Sequence, residues 1–154
     1  MAKKSSPKKS DHADAPANGT TDPHWQDEPQ EHDYPAASDY LSLLRPPAEV
    51  RKVVAALRRA TVEHRKAKDL LRASTLPLLP ADSPHVAADL AKVKRGERLS
   101  PVLLVRGDAA HAVPLTIADG YHRVCASYHL DENADIPCQL ADLAPGTRGA
   151  TAVQ

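Results

Sequence analysis

Apolar side chains begin to recur with a regular period near residue 33. Tyr34, Ala37, Tyr40, Leu41 and Leu44 fall close to helical spacing until Pro46 and Pro47 break the pattern. A short amphipathic helix is therefore expected over the YPAASDYLSLL stretch. Pro47 and Glu49 both suit a helix's first turn. Val50, Val53, Val54, Leu57 and Thr61 then keep to one stripe, with Arg51, Lys52, Arg58, Arg59 and Arg65 on the other faces. That pattern predicts a second helix over 47–64. Its arginines make a basic stripe, either a solvated face or a surface for an acidic partner.

Further on, KAKDLLRASTLPLLP combines leucines with Pro77 and Pro80, which predicts a strand near Lys68–Ala73 and an extended loop over 74–81. Asp82 or Ser83 can cap a helix that has Pro84 in its first turn. Val86, Leu90 and Val93 mark its apolar face, and Gly96 ends it, giving a helix over about 84–95. LSPVLLVR (99–106) and VPLTIA (113–118) read as strands around a GDAAHA loop, which suggests a hairpin. YHRVCASYHL (121–130) reads as a helix, and IPCQLADL (136–143) as a last strand. Mixed order with one hairpin points to an α+β fold with a small mixed sheet.

Composition narrows this. The 154 residues include one Trp, four Tyr and no Phe, so a core must be built from Leu, Val and Ala. Residues 1–32 are rich in Lys, Ser, Pro, Asp and Glu and nearly free of branched apolar residues, so they are expected to be a disordered tail. Trp25 within it is expected to be solvated, or else a short docking element. The expected plan is this tail, a helical extension over 33–64, a domain over 65–143 and a flexible tail over 144–154.

Lys plus Arg equals Asp plus Glu at 20 each, and the zero is an average of unlike blocks. Residues 1–9 carry +4, residues 10–44 carry −8 with no Lys or Arg, residues 45–72 carry +6 and residues 73–154 carry −2. Whole-chain charge thus argues for neither nucleic acid nor an anionic membrane. Cys125 and Cys138 are too few for a disulfide framework and lack zinc spacing, so no metal site is expected from them. No secretory signal and no apolar run of membrane-spanning length is found, so a cytoplasmic location without a membrane is expected.

The segment richest in chemistry is LTIADGYHRVCASY (115–128). A strand ends at Asp119-Gly120, and a helix begins with His122 and Arg123 in its first turn. Gly permits a sharp turn and close approach of a ligand, and a helix N-terminus offers unpaired N–H groups. With a guanidinium and an imidazole added, this is an anion site suited to phosphate. Asp119 could orient Arg123 or His122, or take a Mg²⁺ brought by a nucleotide. The same residues also fit a purely structural turn, with Asp119 as a cap, His122 packed on the sheet and Arg123 paired to Asp119.

ADGYHRVCA followed by IPCQL resembles the signature of the ParB/sulfiredoxin superfamily, in which a strand leads into G-x-H/R-R at a helix start and a final strand begins Ile-Pro. AKDLLRASTLPLLPADSPHVAADLAKV and LSPVLLVRG are similar to that superfamily's first strand, loop, helix and second strand. The resemblance covers about residues 66–142. It implies a small, bacterial-type ParB/sulfiredoxin-like domain behind a two-helix extension, binding nucleotide phosphate through Gly120, His122 and Arg123, with Tyr121 inside the motif. Positions on the preceding helix that bind phosphate in sulfiredoxins correspond here to His85, Ala88 and Lys92. Asp119, Gly120, Tyr121, His122, Arg123, His85 and Lys92 are thus the expected ligand-binding residues, with no catalytic residue assigned.

Departures limit what the resemblance implies. Tyr121 stands where sulfiredoxins carry their catalytic cysteine, so sulfinic-acid reduction is not expected. The chain ends about a dozen residues after the last strand, without a helix-turn-helix, so sequence-specific DNA binding is not expected. The expectation is a nucleotide or other phosphorylated ligand, with Mg²⁺ accompanying a nucleotide and phosphoryl transfer or hydrolysis as the chemistry. Two alternatives are a non-catalytic module holding a protein partner through residues 34–64, and a thiol-dependent reductase using Cys125 or Cys138.

Overall fold

The computed structural model describes residues 22–143. The chain runs β1 (His24–Trp25), α1 (Asp33–Leu41), α2 (Pro47–Arg59), β2 (Glu63–Lys66), α3 (Ala67–Ser74), α4 (Pro84–Lys94), β3 (Arg98–Leu99), β4 (Val102–Val105), a 3-10 turn (Ala109–His111), β5 (Thr116–Asp119), α5 (Tyr121–Leu130) and β6 (Asp135–Ala141). The fold is α+β. A four-stranded sheet has the order β2-β6-β4-β5, and β1 and β3 form a separate two-stranded ribbon. β6 lies antiparallel to β2 and parallel to β4, while β4 and β5 are antiparallel with an irregularity between Leu103 and Leu104.

Alternation along β4 feeds two cores. Val102 and Leu104 join Leu70, Val86, Val124, Cys125 and Ile136 beneath α3, α4 and α5. Leu103 and Val105 join Tyr34, Leu41, Val53 and Leu57 beneath α1 and α2. Helices therefore cover both faces of the sheet. Residues 33–64 supply one of these layers. A buried polar chain fixes them: the Tyr34 hydroxyl donates to Gln139 Oε1 at 2.7 Å, and Gln139 Nε2 donates to the Ala60 carbonyl at 2.8 Å.

Several elements differ from the sequence expectation. The strand expected at 68–73 is helix α3, because Ala67, Leu70, Leu71 and Ser74 are buried at i, i+3, i+4 and i+7. The strand in this region is the polar edge segment Glu63–Lys66, and α2 stops at Arg59, ahead of β-branched Thr61 and Val62. The expected strand over 99–106 divides at Ser100-Pro101, since Pro101 has no N–H for a ladder. The strand expected from Val113 begins at Thr116, with the Leu115 amide donating to the Ala73 carbonyl at 3.0 Å. Helix 121–130 lies as expected, and α4 ends at Lys94 before Gly96, whose φ is +79°.

The expected disordered tail is corrected over residues 22–32. His24–Trp25 pairs in parallel with Arg98–Leu99, and Trp25 packs against the larger core. Beyond it, the Gln30 amide donates to Asp33 and Ser100. The rest of that tail, residues 1–21, and the tail expected over 144–154 lie outside the described residues. Arg58, assigned to a basic stripe, stays exposed and lies 4.3 Å over the Tyr34 ring, pairing with Glu31 at 2.7 Å. No helix among the described residues is long and apolar enough to cross a membrane.

Candidate functional site

β5 ends at Asp119, and the chain turns into α5 through Gly120, whose φ of +107° lies in the left-handed region that glycine tolerates. A Cβ at this position would lie 2.5 Å from Val102 Cγ1 and 2.9 Å from Arg123 Nη2. No side chain caps the helix at Gly120, and its first intrahelical bond is Val124 N–H to the Gly120 carbonyl. The amides of the first turn therefore lack helical partners. Asp119 does not act as the cap.

Arg123 donates to Asp119 Oδ2 at 3.0 Å and to the Pro101 carbonyl at 3.4 Å. Both members of the ion pair are largely buried, with side-chain exposures of 17% and 18%. Arg123 Nε is buried without a hydrogen-bond partner among the described residues. The pair is thus the structural half of the sequence expectation, and it leaves donor capacity on the guanidinium. Asp119 also lies against Asp33 of α1, which accepts from the Ser100 hydroxyl and the Gln30 amide. Burial raises the Asp119 carboxyl above its usual range, Arg123 opposes the rise, and Asp33 adds to it.

α4 packs against α5 and brings its own face to this turn. His85, Ala88, Asp89 and Lys92 join Asp119, Gly120, His122 and Arg123 around a cavity of about 260 Å³. The His85 and His122 rings lie 4.8 Å apart, centroid to centroid. Burial, followed by the proximity of His85, lowers the His122 imidazole below its ordinary value.

Six of the seven expected ligand-binding residues, His85, Lys92, Asp119, Gly120, His122 and Arg123, share this cavity. Tyr121 does not line it. Its hydroxyl donates to the Pro77 carbonyl, and its ring packs on the larger core. With His129 Nε2 bonded to the Leu79 carbonyl at 2.7 Å, Tyr121 holds the loop after α3 to α5. Comparison of the chain with protein-family models, with curated proteins and with solved structures found no match.

Sequence reasoning missed Asp89. It is 9% exposed, lines the cavity and lies 3.8 Å from Lys92 Nζ. Burial raises its carboxyl, opposed by Lys92, Arg123, His122 and His85 in that order. The 85, 89, 92 spacing is a helical face and was the available signal. Cys125 and Cys138 are both free and buried. Burial pushes the Cys125 thiol up and Cys138 to about 12, which disfavours the thiolate that a thiol reductase needs.

Among the described residues no group of three or more His, Cys, Asp or Glu can hold a metal ion. Asp119, expected to orient Arg123 or His122 or to take a nucleotide's Mg²⁺, has its Oδ2 engaged with Arg123.

Proposed function

We propose that this chain binds a nucleotide or another phosphorylated ligand, with the phosphate in the cavity of His85, Lys92, Gly120, His122 and Arg123. One observation carries the reading: two separate helices bring two imidazoles, an ammonium and a guanidinium, beside Asp89 and Asp119, to one cavity at an uncapped helix N-terminus. A cavity of about 260 Å³ is smaller than the roughly 300–1,000 Å³ that encloses a whole drug-sized ligand. It suits a phosphate group, with the rest of the ligand lying across the rim. The resemblance of ADGYHR to the ParB/sulfiredoxin turn supports the same ligand class. Phosphoryl transfer or hydrolysis here would use Arg123 to neutralise charge developing on the phosphate.

A thermal-shift panel of ATP, CTP, GTP and inorganic phosphate, each with and without Mg²⁺, tests this. At least one ligand is expected to raise Tm in the wild type and to lose that effect in Arg123→Ala. No rise with any of them would overturn the reading.

A second reading, a protein-interaction module, is favoured by the turn between α1 and α2. There Tyr40, Leu43 and Leu44 are exposed, Leu43 by 79%. Leu43→Asp with Leu44→Asp should abolish partner capture in a pull-down without lowering Tm; undiminished capture counts against it.

A further inference from the structure

Asp89 is an odd occupant of an anion pocket. It lies among His85 and Lys92 of its own helix and His122 and Arg123 of α5, so every charged or titratable neighbour affecting it is basic. Yet among the described residues none of them hydrogen-bonds to it. Lys92 Nζ stands off at 3.8 Å, beyond hydrogen-bond length, and no donor reaches the Asp89 carboxylate among the described residues. A largely buried carboxylate with open acceptor sites is costly unless something donates to it. An incoming oxyanion that carries no hydrogen meets repulsion at Asp89. One that carries a hydrogen can donate it.

Resting on the phosphate reading of this cavity, we infer that Asp89 makes the pocket selective for phosphate groups that carry a proton, over sulfate and phosphodiesters. Inorganic phosphate retains a proton throughout the neutral range. A phosphomonoester loses its last proton at about pH 6, so at neutral pH the preference belongs to inorganic phosphate, and a monoester shares it only on the acid side of that value. In the complex one proton lies between Asp89 and a phosphate oxygen, while Lys92, Arg123 and the first-turn amides hold the remaining oxygens. Sulfate brings no proton, so Asp89 must first take one from solvent, at a cost that grows with pH. Burial raises the Asp89 carboxyl, which places sulfate uptake on the acid side. The pocket thereby rejects an abundant anion of the same size and charge.

Titration calorimetry on the full chain at pH 7.5, with inorganic phosphate and with sulfate at matched ionic strength, tests the inference. Phosphate is expected to bind at least about tenfold more tightly. In Asp89→Asn the amide can donate to either anion, so the preference should fall to within about threefold. Asp89→Ser, whose hydroxyl also donates, should behave alike and guards against a folding defect in one variant. Equal wild-type affinities, or an undiminished preference in both variants, would overturn the role of Asp89 while leaving the phosphate pocket standing. No binding of either anion, with no nucleotide response, would remove the pocket and the inference together.

Discussion

Gly120 is the residue at which the site tolerates least change. With φ at +107° and Val102 Cγ1 only 2.5 Å from where a Cβ would sit, Gly120→Ala must strain the turn or displace β4. A cost of about 1–3 kcal/mol is expected, read as a lower urea midpoint. Asp89 and Asp119 pull the other way. Both carboxyls are raised by burial, so between the ordinary Asp range and their raised values the unfolded chain binds fewer protons than the folded one. Stability then falls as pH rises through that window. Asp89→Asn removes one such cost, so it should unfold at higher urea than wild type at pH 7, with the gap closing by pH 3. A variant less stable at pH 7 would show that the cations around Asp89 outweigh its burial. Gly120, His122 and Arg123 were legible because a strand, a glycine turn and a helix start are contiguous in sequence. Asp89 and Asp33 were not, because their place beside the turn depends on how α4 and α1 pack.

Among the elements, α3 shows where reading by pattern stopped. Leucines near Pro77 suggested an extended run, while the helical spacing of Ala67, Leu70, Leu71 and Ser74 was the stronger signal and ends before the first proline. The edge strand β2 was hidden for the opposite reason: Glu63–Lys66 is mostly exposed and wholly polar, so it has no hydrophobic alternation to detect. α5 was legible because glycine starts it and a polar turn ends it. For α1 and α2, periodicity gave an apolar face but no partner for it, and the partner is the underside of the sheet formed by β4, β5 and β6. Leu57, fully buried at 0% exposure, sits in that interface. Leu57→Ala should cost about 2–5 kcal/mol, lost in a single cooperative urea transition by both circular dichroism and tyrosine fluorescence. Loss of α2 helicity while the rest stays folded would mean that residues 33–64 form a separate unit.

At the scale of the molecule, a formal charge of zero conceals blocks of unlike charge along the sequence, and one cavity where Lys92, Arg123 and two histidines meet Asp89 and Asp119 says more about ligands than the total does. The sheet carries an apolar core on each side, made largely of Leu, Val and Ala with neither Phe nor Met. The cavity of about 260 Å³ opens where α4 meets the start of α5. A larger groove of about 690 Å³ lies elsewhere, lined by Leu70, Leu104, Val113 and Leu140, and offers a ligand a different, apolar destination. Amide NMR shifts on titration with the nucleotide that most raises Tm distinguish these sites in one experiment. The largest shifts are expected at Gly120, Tyr121, His122 and Arg123, with smaller ones along His85–Lys92, all lost in Arg123→Ala. Shifts confined to Leu70, Leu104 and Val113–Leu115, or none at the start of α5, would contradict it.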